Sequence, residues 1–214
     1  MPDATFCPPW EYTDVTGYDG ILRQQAGPAI ERLLGLSRPD LLREAKDTRR
    51  VHAAIFRGLT PAGFDYYAGH YRGENFICLR DREVGILGDP RVGHLPSQVH
   101  GGMIGYGTAI QQFADQCEVL LPFDEAIISN DEKTIRIVRL AVALFVYFLE
   151  IHPYLNGNGH IARLFLIFLT SGLTLTKDSR RLADVRVWPD KERHRGPAWS
   201  GRPGTAGRRD RIGE

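Results

Sequence analysis

The sequence predicts an all-α fold carrying one small β-hairpin, and three observations lead to it. Apolar residues recur at helical spacing in successive segments on either side of a central stretch. That stretch, residues 60–101, is where glycine and proline recur and where short apolar runs flank a polar turn. The clearest helix start, Ser129-Asn130-Asp131-Glu132, has the form of a capping box and leads into IRIVRLAVALFVYFLEI.

In chain order, residues 1–27, with Pro8, Pro9, Gly17, Gly20 and Gly27, read as an extended lead-in. Pro28 suits a first helical turn, and AIERLLGL follows as a short helix. A longer helix is predicted from about Asp40 to Arg57. Ser37 stands at its N-cap, Leu41, Ala45, Thr48, His52, Ile55 and Leu59 make its inner stripe, and Gly58 stops it. His52, on that inner stripe, reads as a satisfied core histidine rather than a ligand. The runs ICL (77–79) and VGIL (84–87) flank the charged turn RDRE, which predicts a hairpin over 77–87. Beyond it, His94 and His100 bracket a proline loop as solvated residues.

Met103, Tyr106, Ile110, Phe113, Ala114 and Cys117 recur at three to four residues and predict the next helix, closed by Pro122. The helix that starts at Ser129 is apolar on every side from Leu140 onward, the pattern of a helix surrounded by others. IARLFLIFLTSGL makes the last helix, ended by Gly172. The 38 residues after 176 hold nine hydrophobic residues and several arginines, a composition that predicts disorder. The division is a lead-in over 1–27, a helical domain over 28–176 and a basic tail over 177–214.

Composition narrows the function classes. The 214 residues are 43% hydrophobic and 25% charged, enough for one substantial core. Residues 1–176 hold 16 Lys and Arg against 20 Asp and Glu, whereas residues 177–214 hold 11 against 6. The helical part is mildly acidic and has no basic face for nucleic acid, and the tail arginines read as a solvated extension. Cys7, Cys78 and Cys117 are odd in number and widely spaced, which argues against a zinc ribbon or disulfide framework and for a reducing cytoplasm. The opening MPDATFCPPWEY lacks the regions of a secretory signal. The uncharged apolar run Leu140–Leu149 is about half of what a bilayer requires, so no membrane span is expected.

Between the two most apolar helices lies HPYLNGNGHIAR, residues 152–163. The start of the second helix offers free N–H groups and a positive dipole end to an anion. Gly157 and Gly159 allow close backbone approach, Asn158 can cap the helix and donate, and Arg163 on the first turn can reach the same anion. The chemistry is a phosphate cradle with a potential base, His152, beside it. The same residues would also serve a plain helix–loop–helix connector. GNGHIA fits the loose dinucleotide fingerprint, but a helix precedes it where that motif needs a strand. His152 and His160 lack a third ligand in register, which argues against zinc.

The segment resembles the Fic family motif H-x-F-x-(D/E)-G-N-G-R-x-x-R, with Tyr154 for the aromatic. Upstream, VHAAIFRGL, AGHYRGENF and HLPSQV are similar to the family's helix, the A-G-x-Y-R lead into its flap and its His-x-Pro stretch, so the resemblance spans about residues 28–175. It implies a Fic-type helical bundle with a hairpin flap, and transfer of AMP from ATP, with magnesium, to a protein hydroxyl. It implies that His152 takes the proton of the attacking hydroxyl and that Gly157, Asn158 and Gly159 form the anion hole. Arg163 would hold the distal phosphates, Tyr154 would anchor the loop, and the flap at about 77–87 would dock the target protein. Two residues depart from the pattern. Asn156 stands where the family has the acidic magnesium ligand, and His160 where the first phosphate-binding arginine should be. Both changes weaken the hold on Mg-triphosphate. The resemblance therefore also admits a catalytically silent fold that binds a partner, or a different phosphate-containing donor. The family's [S/T]-x-x-x-E-[G/N] inhibitory helix is absent: Glu74-Asn75 has the right ending, but His70 stands at the hydroxyl position. Either inhibition comes from a separate antitoxin-like partner, or a weakened site needs none.

Overall fold

The computed structural model describes residues 7–11, 15–85, 91–121 and 127–174. These form α1 (Tyr18–Leu34), α2 (Arg38–Lys46), α3 (Arg49–Phe56), α4 (Pro96–Leu120), α5 (Asn130–Ile151) and α6 (Asn158–Thr174), with a 3₁₀ turn at Asp65–Tyr67. The fold is all-α, as expected, and no strand forms among the described residues. No described helix is long and apolar enough to cross a membrane.

The centre of the core is α6, whose Ile161, Ala162, Leu164, Phe165, Phe168 and Leu169 are all buried. It packs on α5 and also touches α1, α2 and α4. The surrounded helix is therefore α6, not α5. Val138, Val142 and Val146 of α5 are 49%, 46% and 44% exposed, because α5 packs chiefly on α4 and α6 and leaves that side uncovered among the described residues. Ser129 caps α5 by accepting from the Glu132 amide, while the Glu132 carboxylate pairs with Arg136 instead of closing a full capping box.

Four local expectations are corrected by tertiary contacts. Residues 18–27 are helical, so the extended lead-in is shorter than 1–27. Tyr18, Leu22, Ala26, Ala29 and Leu33 form one buried stripe of α1, with Pro28 inside the helix at the cost of a ladder bond. The single helix over 40–57 is split at Asp47. That residue is extended (φ −129°), and its carboxylate accepts from Arg49. Every member of the predicted inner stripe is nonetheless buried. The third helix is longer than 103–117, with Pro96 in its first turn, and α6 runs through Gly172. Pro122 and the tail after residue 176 lie outside the described residues.

Of the hairpin expected over 77–87, the described residues 77–85 form no strand, and residues 86–87 lie outside the described residues. Leu79 and Arg80 donate to the Phe76 carbonyl, Gly73 donates to that of Leu79, and the resulting turn sends Cys78 and Leu79 into the core. A Cβ on Gly93 (φ +90°) would lie 2.0 Å from the Val84 carbonyl oxygen, so residues 84–85 and 92–93 run against each other. Gly93 and His94 then donate to Glu150 and Ile151 at the end of α5. We call residues 82–85 and 91–94 the two arms of the flap.

The expectation of unbridged cysteines also fails, since Cys7 is disulfide-bonded to Cys78, with their Cα atoms 5.4 Å apart and 71 positions between them in sequence. Sequence spacing carries no information about such a long-range approach. Cys117 is buried and free. The bridge pins the lead-in, and Trp10 seats it. The indole Nε1 donates to Leu59 O at 2.7 Å, and the ring packs edge-on against His52 and Phe56.

Candidate active site

Helix α5 ends at Ile151, and His152 follows in the left-handed conformation (φ 51°, ψ 61°). Among the described residues it is the one non-glycine residue at positive φ, a conformation that costs energy and persists only when its surroundings enforce it. Arg72 supplies much of that enforcement. Its Nε donates to His152 O at 2.9 Å and its Nη2 to Ile151 O at 3.1 Å, while its backbone N–H donates to Pro153 O at 2.8 Å.

Burial holds the His152 imidazole below the usual histidine range. The Leu149 carbonyl opposes this and the Arg72 cation reinforces it. The neutral form of His152 is thus favoured near pH 7, as a base requires. His152 and Leu155 lie in a groove of about 660 Å³, walled by Pro9, Trp10 and Glu11 on one side and by Asp81 and the flap residues Arg82–Gly85 on the other.

The loop after His152 is held by side chains that point inward. Tyr154 is fully buried, its hydroxyl 2.7 Å from Thr48 Oγ1, so the tyrosine at the aromatic position finds its polar partner. Its ring stacks on His52 with centroids 3.6 Å apart. His52 is fully buried and bridges two turns. Its Nδ1 accepts from Gly69 N at 2.9 Å, which leaves Nε2–H to donate to Asn156 O at 3.0 Å. Burial pushes its pKa down to about 3, so it is neutral there. The core-histidine reading of His52 holds, with the added role of tying α3 to the loop. Asn158, also buried, accepts from Tyr154 N and donates to Tyr154 O, so both ends of its amide shape the loop rather than face outward.

The two glycines differ. Gly157 has φ +79°, and a Cβ there would sit 2.5 Å from the Phe56 ring, so only glycine fits. At Gly159 the nearest atom to a Cβ would be Arg163 Nη2 at 3.7 Å, ordinary contact, so its small size matters toward Arg163 and whatever that arginine meets.

At the start of α6, Gly157 O accepts from His160 N and Ile161 N, and the Asn158 and Gly159 amides take no partner among the described residues. Arg163 Nη2 donates to His160 Nδ1 at 3.3 Å, and Arg163 Nε is buried without a hydrogen bond. Two free amides at a helix N-terminus beside an arginine with an unfilled donor suit a phosphate. His160 and Arg163 thus lie side by side at the start of α6. The Asn156 amide is engaged at both ends. Its Nδ2 donates to Trp10 O at 2.9 Å, which ties the loop to the lead-in, and its Oδ1 accepts from Gly157 N at 2.6 Å within the loop. Among the described residues no group of three or more His, Cys, Asp or Glu is disposed to hold a metal.

Glu74, at the end of the partial inhibitory pattern, is bonded to Arg49, His70 and Tyr71 N. The residues missed by sequence reasoning are Arg72, Thr48 and Trp10, each joining the loop or its base to a distant segment. For Arg72 alone a signal existed, the last residue of AGHYR. A model described as Fic/DOC family matches residues 43–170 of the chain. No curated protein and no solved structure matches it.

Proposed function

The chain belongs to the Fic/DOC family, and from that premise we propose that it is a protein adenylyltransferase, moving AMP from ATP to a hydroxyl side chain of a target protein. The observation that carries this reading is the pairing of His152 with the cradle at the start of α6. A base kept neutral by burial stands at the C-terminal end of α5, and free amides with Arg163 stand across the same short loop. In the proposed reaction the target oxygen attacks the α-phosphorus, His152 takes its proton, and pyrophosphate leaves. The amides of Asn158 and Gly159 and the Arg163 guanidinium balance the phosphate charge, the main task in such a transfer. Gly157 and Asn158 shape the cradle, and His160 orients Arg163. The target segment lies in the groove between the lead-in and the flap, and any inhibition comes from a separate antitoxin-like partner. With ATP as donor the reading places the chain in the cytoplasm, where the Cys7–Cys78 bond would be open to reduction.

Magnesium enters this reading with the nucleotide and not through Asn156, whose amide is engaged. That engagement favours a second reading, a catalytically silent fold that binds a partner through the groove. Incubating the chain with labelled ATP and lysate, in parallel with labelled GTP, UTP and CDP-choline, decides between them. Transfer from ATP that disappears in His152→Ala supports the proposal. Label from another donor changes the donor, and no label from any leaves the binding module.

A further inference from the structure

We infer, on the reading of His152 as the transferring base, that Arg72 is the positioning residue of that base, its guanidinium holding the His152 turn and both arms of the flap in one arrangement. Arg72 is 1% exposed and makes no ion pair among the described residues. Its donors go instead to four backbone carbonyls on three segments. Nε reaches His152 O and one Nη2 bond reaches Ile151 O, both at the end of α5. Nη1 reaches Arg82 O at 3.0 Å on the outgoing arm of the flap, and Nη2 reaches His94 O at 3.0 Å on the returning arm.

A buried cation without a carboxylate is costly, and it persists only where its donors are all placed. Here the acceptors include carbonyls at the negative end of the α5 dipole, which favours a cation. Burial lowers the Arg72 pKa to about 10, with the Glu83 charge opposing, so the cation persists at neutral pH. The fork geometry is required. A lysine has one nitrogen and cannot span carbonyls on three segments. The outgoing arm that Arg72 grips also includes residues that wall the groove beside His152, so a segment docked against Arg82–Gly85 bears on the same guanidinium that orients the base.

The test compares the native chain with Arg72→Lys and Arg72→Met. Each is measured for melting temperature, Mg-ATP affinity, kcat of transfer, and the pH titration of the His152 ring by NMR, the resonance being assigned by its loss in His152→Ala. The charges facing that ring, besides Arg72, are Glu11, Asp81, Arg82 and Glu83 around the groove and Glu150 in the last turn of α5, and all stay constant across the series. Arg72→Lys, folded, is expected to bind nucleotide within about twofold of native and to lose about tenfold or more in kcat. Its ring should titrate as in the native chain but at a shifted chemical shift. Arg72→Met, with the charge gone, should titrate at higher pH. A folded Arg72→Lys that keeps both native kcat and the native ring signal overturns the inference. So does a loss of nucleotide affinity in step with kcat and melting temperature. If the native chain transfers nothing, the adenylyltransferase reading fails, while the ring signals still decide whether Arg72 sets the His152 turn.

Discussion

Replacing Asn156 by aspartate restores the acidic residue of the family pattern, yet here it should loosen the protein before it improves any binding. The Asn156 amide donates to Trp10 O at 2.9 Å, and a carboxylate at that place cannot donate. Trp10 is 5% exposed, so its carbonyl loses a partner in a largely buried setting and meets a negative oxygen instead. Losing such a bond costs about 1–3 kcal/mol. The aspartate regains about 0.5 kcal/mol by sitting at the positive end of α6 and accepting from Gly157 N with a full charge. The net loss is about 1–2 kcal/mol, or about 3–6 °C in melting temperature for a chain of this length. Binding should move the other way, because a charged oxygen freed from the lead-in can take magnesium, and the variant should therefore gain more stability from saturating Mg-ATP than the native chain does. Thermal melts of both proteins, with and without Mg-ATP, read both effects. A variant as stable as the native chain without ligand would show that the Asn156–Trp10 contact contributes nothing. An unchanged ligand-induced shift would show that the amide is not what limits magnesium.

Acid should destabilise the fold through His52. Its pKa is about 3 in the folded state against about 6.5 unfolded, so the unfolded chain binds the extra proton between those values. Stability from this group is complete above about pH 6.5 and falls by up to about 1.4 kcal/mol per pH unit below it, a slope that denaturant melts of His52→Gln should flatten. Reducing Cys7–Cys78, or replacing Cys7 by serine, removes a link across 71 positions, and by chain entropy costs up to about 4 kcal/mol. Non-reducing peptide mapping should find that pair bridged and Cys117 free. Gly157→Ala must move the Phe56 ring at an unfavourable φ, and should cost about 2–4 kcal/mol in chemical denaturation, whereas Gly159→Ala should change stability by less than about 1 kcal/mol. His160→Arg should strengthen ATP binding by about tenfold if it adds a charge-assisted phosphate bond, as titration calorimetry would read.

The sequence by itself determined the helical class, the buried stripe from Leu41 to Leu59, the Ser37 and Ser129 caps and the place of the loop. Each is written in local spacing: a buried helix face repeats every three to four residues, and a cap is a single side chain bonded within its own turn. The tertiary structure alone decided that α6 is the enclosed helix and α5 the half-covered one, because each carries a long apolar run and the packing partners settle which run is covered. It decided that residues 77–79 make a turn and not a strand, because Cys78 and Leu79 are drawn into the core. Asn156 looked like a weakened metal ligand in the motif; its contact with Trp10, 146 positions away, is what makes it a clamp on the lead-in. The reach of Arg72, the tie that His52 makes to the loop and the Cys7–Cys78 bridge were hidden for the same reason. Each acts by joining backbone or side-chain groups remote in sequence, and such approaches are set by how the whole chain packs rather than by any pattern within one segment.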